Sequence, residues 1–219
     1  MENELLNQSK VKAWKNFLLA NGCTISSISP IAQIKKRDDS LLFALLSADV
    51  TSPEGNKLPH IVFIRGHAVV IVPLLRNKDT GEEKYLMVRQ RRIGNGQMSL
   101  EFPAGMLDES SNPLEVAVRE LNEETGLSID RSNLKPLTDT MLYSSAGAID
   151  EAIYYYGCII ELNETDFQSY IGRKGGCEHE HEFISTVLMT REEAEREATS
   201  LQVHLGFFLF DQQIKRNLQ

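Results

Sequence analysis

The sequence predicts an α/β fold: a mixed sheet flanked by helices, with a smaller N-terminal element up to about residue 58. Three observations predict it. Strand-like apolar runs are many and helical patterns few. The helical patterns fall at the two ends of the chain and directly after Pro113. Two of the apolar runs, "HAVVIVPLL" and "KYLMVRQ", are separated by "RNKDTGEE", which reads as a hairpin turn. A length of 219 residues suits one large domain, or a core domain with an appendage. We therefore divide the chain into a helix-and-strand extension, residues 1–58, and a main domain, residues 59–219.

Taken in order, residues 9–20 read as a helix. Ser9 stands where a cap is expected, Val11, Trp14, Phe17 and Leu18 make an apolar stripe, and Asn21-Gly22 stop it. Trp14 lies on that stripe and reads as a packing residue. Strand-like runs follow at 41–48 and 60–64, separated by the turn "TSPEGNKLP". After the hairpin comes a short strand, "SLEFP", and then a Glu-rich helix. "LKPLTDTML", "AIYYYGCII" and "EFISTVLM" read as further strands. Thr190 and Glu193 have the spacing of a capping box for a short helix. A last helix, about 201–216, has its apolar body around Leu205, Phe208 and Leu209.

Composition limits the function. The net charge is −8, so the basic face that a general nucleic-acid binder needs is not expected. The N-terminus does not read as a signal peptide, and the longest apolar run is too short to span a bilayer. Cys23, Cys158 and Cys177 are odd in number and widely spaced. That argues for a reducing, cytoplasmic setting and against a disulfide framework.

The chemistry is concentrated in "EFPAGMLDESSNPLEVAVRELNEETGLSI". Ser111 or Asn112 suits the helix cap, Pro113 the first turn and Gly126 the left-handed stop. Glu120, Glu123 and Glu124 are spaced to share one helical face. One reading is a solvated acidic face, since like charges at this spacing cost only a few tenths of a kcal/mol per pair. Against it, the carboxylates lie near the helix C-terminus, where the dipole disfavours them. No lysine occurs between Lys84 and Lys135, and the backbone of "EFPAGM" leads toward the same face. Hard divalent cations take oxygen ligands of this kind, and Mg²⁺ would turn the repulsion into a site.

The stretch resembles the signature of the Nudix hydrolases. Gly105 opens it, Arg119-Glu120-Leu121 and Glu123-Glu124 follow at the family's spacing, and Gly126-Leu127 close it. The signature's first Glu falls on Ser111, with Asp108 and Glu109 nearby. The resemblance implies a Nudix α/β/α sandwich. It further implies Mg²⁺ or Mn²⁺ held by Glu120, Glu124 and the backbone carbonyl of Ala104. Arg119 would hold the carboxylates and Glu123 would assist.

"RGHAVVIVPLL", "VRQRRIGNGQMSLEFPAGMLDE", "LYSSAGAIDE" and "GGCEHEHEFI" resemble blocks of the ADP-ribose and ADP-sugar pyrophosphatases. This branch implies hydrolysis of a nucleotide sugar to a nucleoside monophosphate and a sugar phosphate. It implies a homodimer built through the N-terminal region, and an acidic residue, best matched by Glu151, in the loop after the signature. Asp150 is its neighbour. The branch's Ser-Pro-Gly is here Ser145-Ala146-Gly147, which sets ADP-glucose beside ADP-ribose as a substrate. Guanidinium groups grip phosphate in two-pronged fashion. In the resemblance Arg91 aligns with an arginine next to the substrate, so it leads as a substrate-binding residue, with Arg89 on the same strand face and Arg92 following. Glu101 matches a residue that binds nucleotide or sugar. A non-catalytic nucleotide-sugar-binding module is the competing class, and a Nudix enzyme acting on another nucleoside diphosphate derivative is a third reading.

"CEHEHE" is either a zinc site made by Cys177, His179 and His181 or a polar loop. Glu182 matches an acidic position in relatives, and Tyr143 is placed to stack on a base. "RKGG" from Arg173 reads as an ordinary turn.

Overall fold

The structure is a computed structural model, and it describes residues 2–107, 112–176 and 183–217. The chain forms two compact units. The first comprises Met1–His67, Leu107–Ser111 and Leu142–Ile153; the second comprises Ala68–Met106, Asn112–Met141 and Tyr154–Gln219.

In the first unit, helices α1 (Glu2–Leu5) and α2 (Ser9–Ala20) accompany the antiparallel strands β1 (Thr24–Lys35), β2 (Leu41–Thr51) and β3 (Ile61–Ile64). Their order is β1-β2-β3. Along β2, Ala44, Leu46, Ala48 and Val50 are buried and alternate with half-exposed neighbours, the period of a strand with one covered face. Leu5, Val11, Leu41, Ala44, Leu46 and Ile64 form the core, with Trp14 packed against it as expected. Ser9 is not the cap. Gln8 occupies that position without a side-chain bond, and Ser9 is the first helical residue. Strand β1 was not anticipated. Most of it is exposed and it carries Pro30 opposite Leu46, so no period-2 apolar pattern marks it. Proline is tolerated there because β1 is an edge strand.

The second unit is built on β4 (Ala68–Asn77), β5 (Glu83–Arg91), β6 (Met98–Glu101) and β7 (Ala104–Met106). Helix α3 (Pro113–Thr125) follows. "LKPLTDTML" is not one strand. It yields only β8 (Lys135–Pro136) and β9 (Leu142–Tyr143), the latter belonging to the first unit. Then come β10 (Ala152–Leu162), α4 (Glu164–Gln168), β11 (Lys174–Gly175), β12 (Ile184–Met189), α5 (Arg191–Glu197) and α6 (Leu201–Asn217). Among the described residues, the sheet runs β11-β12-β5-β4-β10-β8, with β6 on β5 and β7 on β4.

Every residue of β4 from Val69 to Leu75 is buried. A strand reads this way only when both sheet faces are covered, and α3 and α6 both pack on β4. The architecture is thus mixed α/β, as the sequence predicts. Thr190 and Glu193 form the predicted capping box of α5. No helix among the described residues is long and apolar enough to cross a membrane.

Helix α6 is anchored by aromatic packing. Phe207 meets Tyr85 at 4.7 Å and Phe102 at 5.0 Å between ring centroids, both edge-on. Gly206 permits the approach, since a Cβ there would lie 2.9 Å from the Phe102 ring. Arg191 lies 5.0 Å from the Phe207 ring centroid and donates to Asp211 at 2.5 Å. Burial pushes the Tyr85 hydroxyl up to about 12, so it stays protonated. Replacing Phe207, which is fully buried, by Ala is expected to cost about 3–5 kcal/mol in chemical denaturation. A loss below about 1 kcal/mol would show that α6 is not held by this packing.

Candidate active site

Helix α3 forms where its sequence directs. Asn112 caps it, accepting the Leu114 N–H at 3.1 Å, and Gly126 closes it in the left-handed conformation at φ 72°. Val116, Ala117 and Leu121 make its buried stripe. Glu120 and Glu124 follow Val116 in steps of four, so they lie on the row that faces inward. Glu124 is 5% exposed and the Glu120 side chain 16%. Glu123 is exposed. The three carboxylates therefore do not form one solvated face: two turn toward the sheet and one turns out.

The inward pair is received by β7. The Glu124 carboxylate accepts the Ala104 N–H at 3.1 Å. Gly105 leaves the space that the Glu120 carboxyl occupies, because a Cβ there would overlap its carbons. Arg119 Nη2 donates to Glu120 at 2.9 Å, and its Nε stands 3.8 Å from Glu123 in an exposed ion pair. Two carboxylates beside a strand corner form an all-oxygen donor set, which would suit a hard divalent cation such as Mg²⁺. Among the described residues, no group of three or more His, Cys, Asp and Glu side chains is gathered for a metal. Among the described residues, the donors at this corner are Glu120, Glu124 and backbone oxygen.

The predicted substrate arginines have protein partners. Arg89 makes a two-pronged bond to Glu197, at 2.9 and 2.7 Å. Arg91 donates to the Gly96 carbonyl at 2.6 Å, within the hairpin that joins β5 to β6. Arg92 makes a second fork, to Glu101, at 3.0 and 2.7 Å. Burial pushes the Glu101 carboxyl up, but the Arg92 bonds and charge outweigh it, and the net shift is downward. The sequence marks Arg92 only as a member of "VRQRR"; its pairing with Glu101 needs the hairpin to close.

In the first unit, residues 144–151 form the loop that carries Asp150 and Glu151. The backbone of Phe63 pins it, donating to Ala148 O at 2.8 Å. Asp150 is buried and accepts the N–H groups of Arg65 and Gly66, at 2.7 and 3.1 Å. Burial outweighs those bonds and raises its pKa. Glu151 forms an ion pair with Arg65, whose Nε stands 2.7 Å from it without the angle of a hydrogen bond. Arg65 was not singled out by the sequence, since it and Glu151 lie far apart in the chain. His67 Nδ1 accepts the Ala152 N–H at 3.3 Å, and Tyr143 packs on Phe17 at 5.9 Å. Asp108, Glu109, Ser111, Cys177, His179, His181 and Glu182 lie outside the described residues.

The site is thus a strand corner feeding a capped helix whose Glu120 and Glu124 turn inward. The chain matches the NUDIX domain model over residues 65–205. It belongs to the Nudix family. It is 30% identical to Nudix hydrolase 14, chloroplastic, of Arabidopsis thaliana, over 77% of this chain and 57% of that protein's length. It is 29% identical to an ADP-ribose pyrophosphatase of Bacillus subtilis, over 71% of this chain and 75% of the relative. A solved structure titled as an ADP compounds hydrolase superposes with a TM-score of 0.61 at 19% identity. It covers 89% of this chain and 95% of its own, a likeness of fold.

The Arg92–Glu101 pair sets a pH dependence. A carboxyl with a lowered folded pKa contributes stability that is full above its unfolded value and lost as the pH falls through the folded one. Replacing Arg92 by Met is expected to cost about 1 kcal/mol at pH 7. The difference from wild type should shrink below pH 4.5, the ordinary glutamate value. A difference that persists undiminished in acid denaturation curves would place the effect in packing.

Proposed function

We propose that this chain hydrolyses the pyrophosphate bond of a nucleoside diphosphate sugar, of the ADP-ribose or ADP-glucose type. The products are a nucleoside monophosphate and a sugar phosphate. The observation that carries this reading is the inward turn of Glu120 and Glu124, one against Gly105 and the other on the Ala104 N–H. The names of the relatives support the substrate class.

In this reading Glu120, Glu124 and the Ala104 carbonyl hold Mg²⁺ or Mn²⁺. The ion, when bound, screens the diphosphate and lowers the pKa of water. Arg119 fixes Glu120 and keeps the outer Glu123 near. Arg91, Arg89 and Glu101 are assigned to substrate. Each has a polar partner within the protein now, so substrate must exchange those bonds for its own. Glu151 is assigned the proton of the attacking water. That role requires it to give up Arg65, and a phosphate oxygen is the natural competitor for a guanidinium.

Release of AMP from ADP-ribose and ADP-glucose with Mg²⁺ or Mn²⁺, followed by chromatography, tests the reading. Binding without turnover at every metal concentration would favour the sensing module instead. Replacing Glu124 by Gln is expected to leave the fold near normal and to cut turnover at least about a hundredfold. Unchanged turnover would remove Glu124 from the metal set. Replacing Glu151 by Gln should lower turnover by about 10²–10⁴ while Mn²⁺ binding stays near wild type. Collapse of Mn²⁺ binding in that variant would make Glu151 a ligand.

A further inference from the structure

Arg173-Lys174-Gly175-Gly176 is more than a turn. Strand β11 pairs with β12, Lys174 opposite Ser185 and Gly175 opposite Ile184. The turn before it is fastened to Thr186, which is fully buried. The Thr186 hydroxyl donates to Tyr170 O and accepts the Arg173 N–H at 3.0 Å. The Thr186 N–H donates to Arg173 O at 2.8 Å, and Gly172 N–H to Thr186 O at 2.9 Å. A segment held this firmly presents fixed atoms to whatever it faces.

It faces the C-terminal end of α3. Gly175 lies against the Glu124 peptide: a Cβ there would overlap the Glu124 carbonyl oxygen and lie 2.7 Å from its carbon. The Gly176 N–H donates to the Glu123 carbonyl at 3.4 Å. The Arg173 guanidinium covers Gly126, where a Cβ would meet Nη1 at 2.6 Å and Cζ at 2.8 Å. It lies 5.5 Å from the Tyr170 ring centroid. Helix ends leave carbonyls unpaired and carry partial negative charge, which a cation relieves. The last turn of α3 has no basic residue of its own. Arg173 supplies that charge from elsewhere in the chain.

We propose that Arg173, Gly175 and Gly176 act as a positioning clamp on the end of α3, fixing Glu124 and so setting how tightly the site takes a divalent cation. Ala104 of β7 bonds the Glu124 carboxylate, and Gly175 of β11 packs against the Glu124 peptide. Displacing either contact moves the ligand oxygen. The inference rests on the metal assignment above.

The test compares Gly175→Ala, Arg173→Met, Arg173→Lys and Lys174→Ala with wild type in the full chain. Mn²⁺ binding is followed by the spectroscopic signal of free Mn²⁺, and amide exchange of residues 119–126 by mass spectrometry without metal. Gly175→Ala is expected to weaken Mn²⁺ binding about tenfold and to speed exchange at the helix end. Arg173→Met should act in the same direction with a smaller effect. Arg173→Lys should restore binding, because it keeps the charge, and Lys174→Ala should leave it unchanged. Turnover at saturating Mn²⁺ should stay within about threefold of wild type, since the ligands themselves remain. Should Gly175→Ala fail to fold, the Arg173→Met and Arg173→Lys pair decides. Wild type that takes up no Mn²⁺ refutes the metal assignment itself. Wild-type uptake matched by Gly175→Ala and Arg173→Met refutes the clamp alone.

Discussion

Helix α3 lies so close to two strands that neither can carry a side chain at the point of contact, and this closeness governs the site. On one side Gly105 admits the Glu120 carboxyl; on the other Gly175 meets the Glu124 peptide. Glycine is the residue that lets backbone approach in this way. Because the helix is seated so deeply, Glu124 can be buried and still find a backbone donor. Burying an acid without such a partner would be costly. The apolar stripe of Val116, Ala117 and Leu121 sets the depth, and the glycines set the clearance.

In the second unit, negative charge is answered by arginine. Arg119 serves Glu120 and Glu123, Arg92 serves Glu101, and Arg89 serves Glu197. In the first unit Arg65 serves Glu151. The forked guanidinium suits this task, since it meets both carboxylate oxygens at once and still matches a phosphate. The helix dipole, unfavourable to Glu123 and Glu124, is met in the same way by Arg173.

The sequence showed some of this plainly. The limits of α3, its cap and its left-handed stop follow from Asn112, Pro113 and Gly126, all local choices. The capping box of Thr190 and Glu193 is equally local. What escaped was decided by distant partners. Strand β1 exposes most of its side chains and is defined by pairing with β2, so no apolar rhythm betrays it. Spacing alone set Glu120, Glu123 and Glu124 on one face; the row that meets β7 turns the first and last inward and leaves Glu123 exposed. Arg65 finds Glu151, and Gly175 finds Glu124, across chain separations that no spacing rule spans.

The aromatic nest under α6 has a consequence for how such a protein changes over time. Phe102 is part of that nest and stands two residues before Ala104, with Pro103 between them bonded to Ile71. The corner that receives Glu124 is therefore braced from beneath by the far end of the chain. Ile93, at the tip of the hairpin between β5 and β6, is wholly exposed and has no part in that support. Lineages are free to vary it, whereas drift in the phenylalanines would unsettle the corner that seats Glu124.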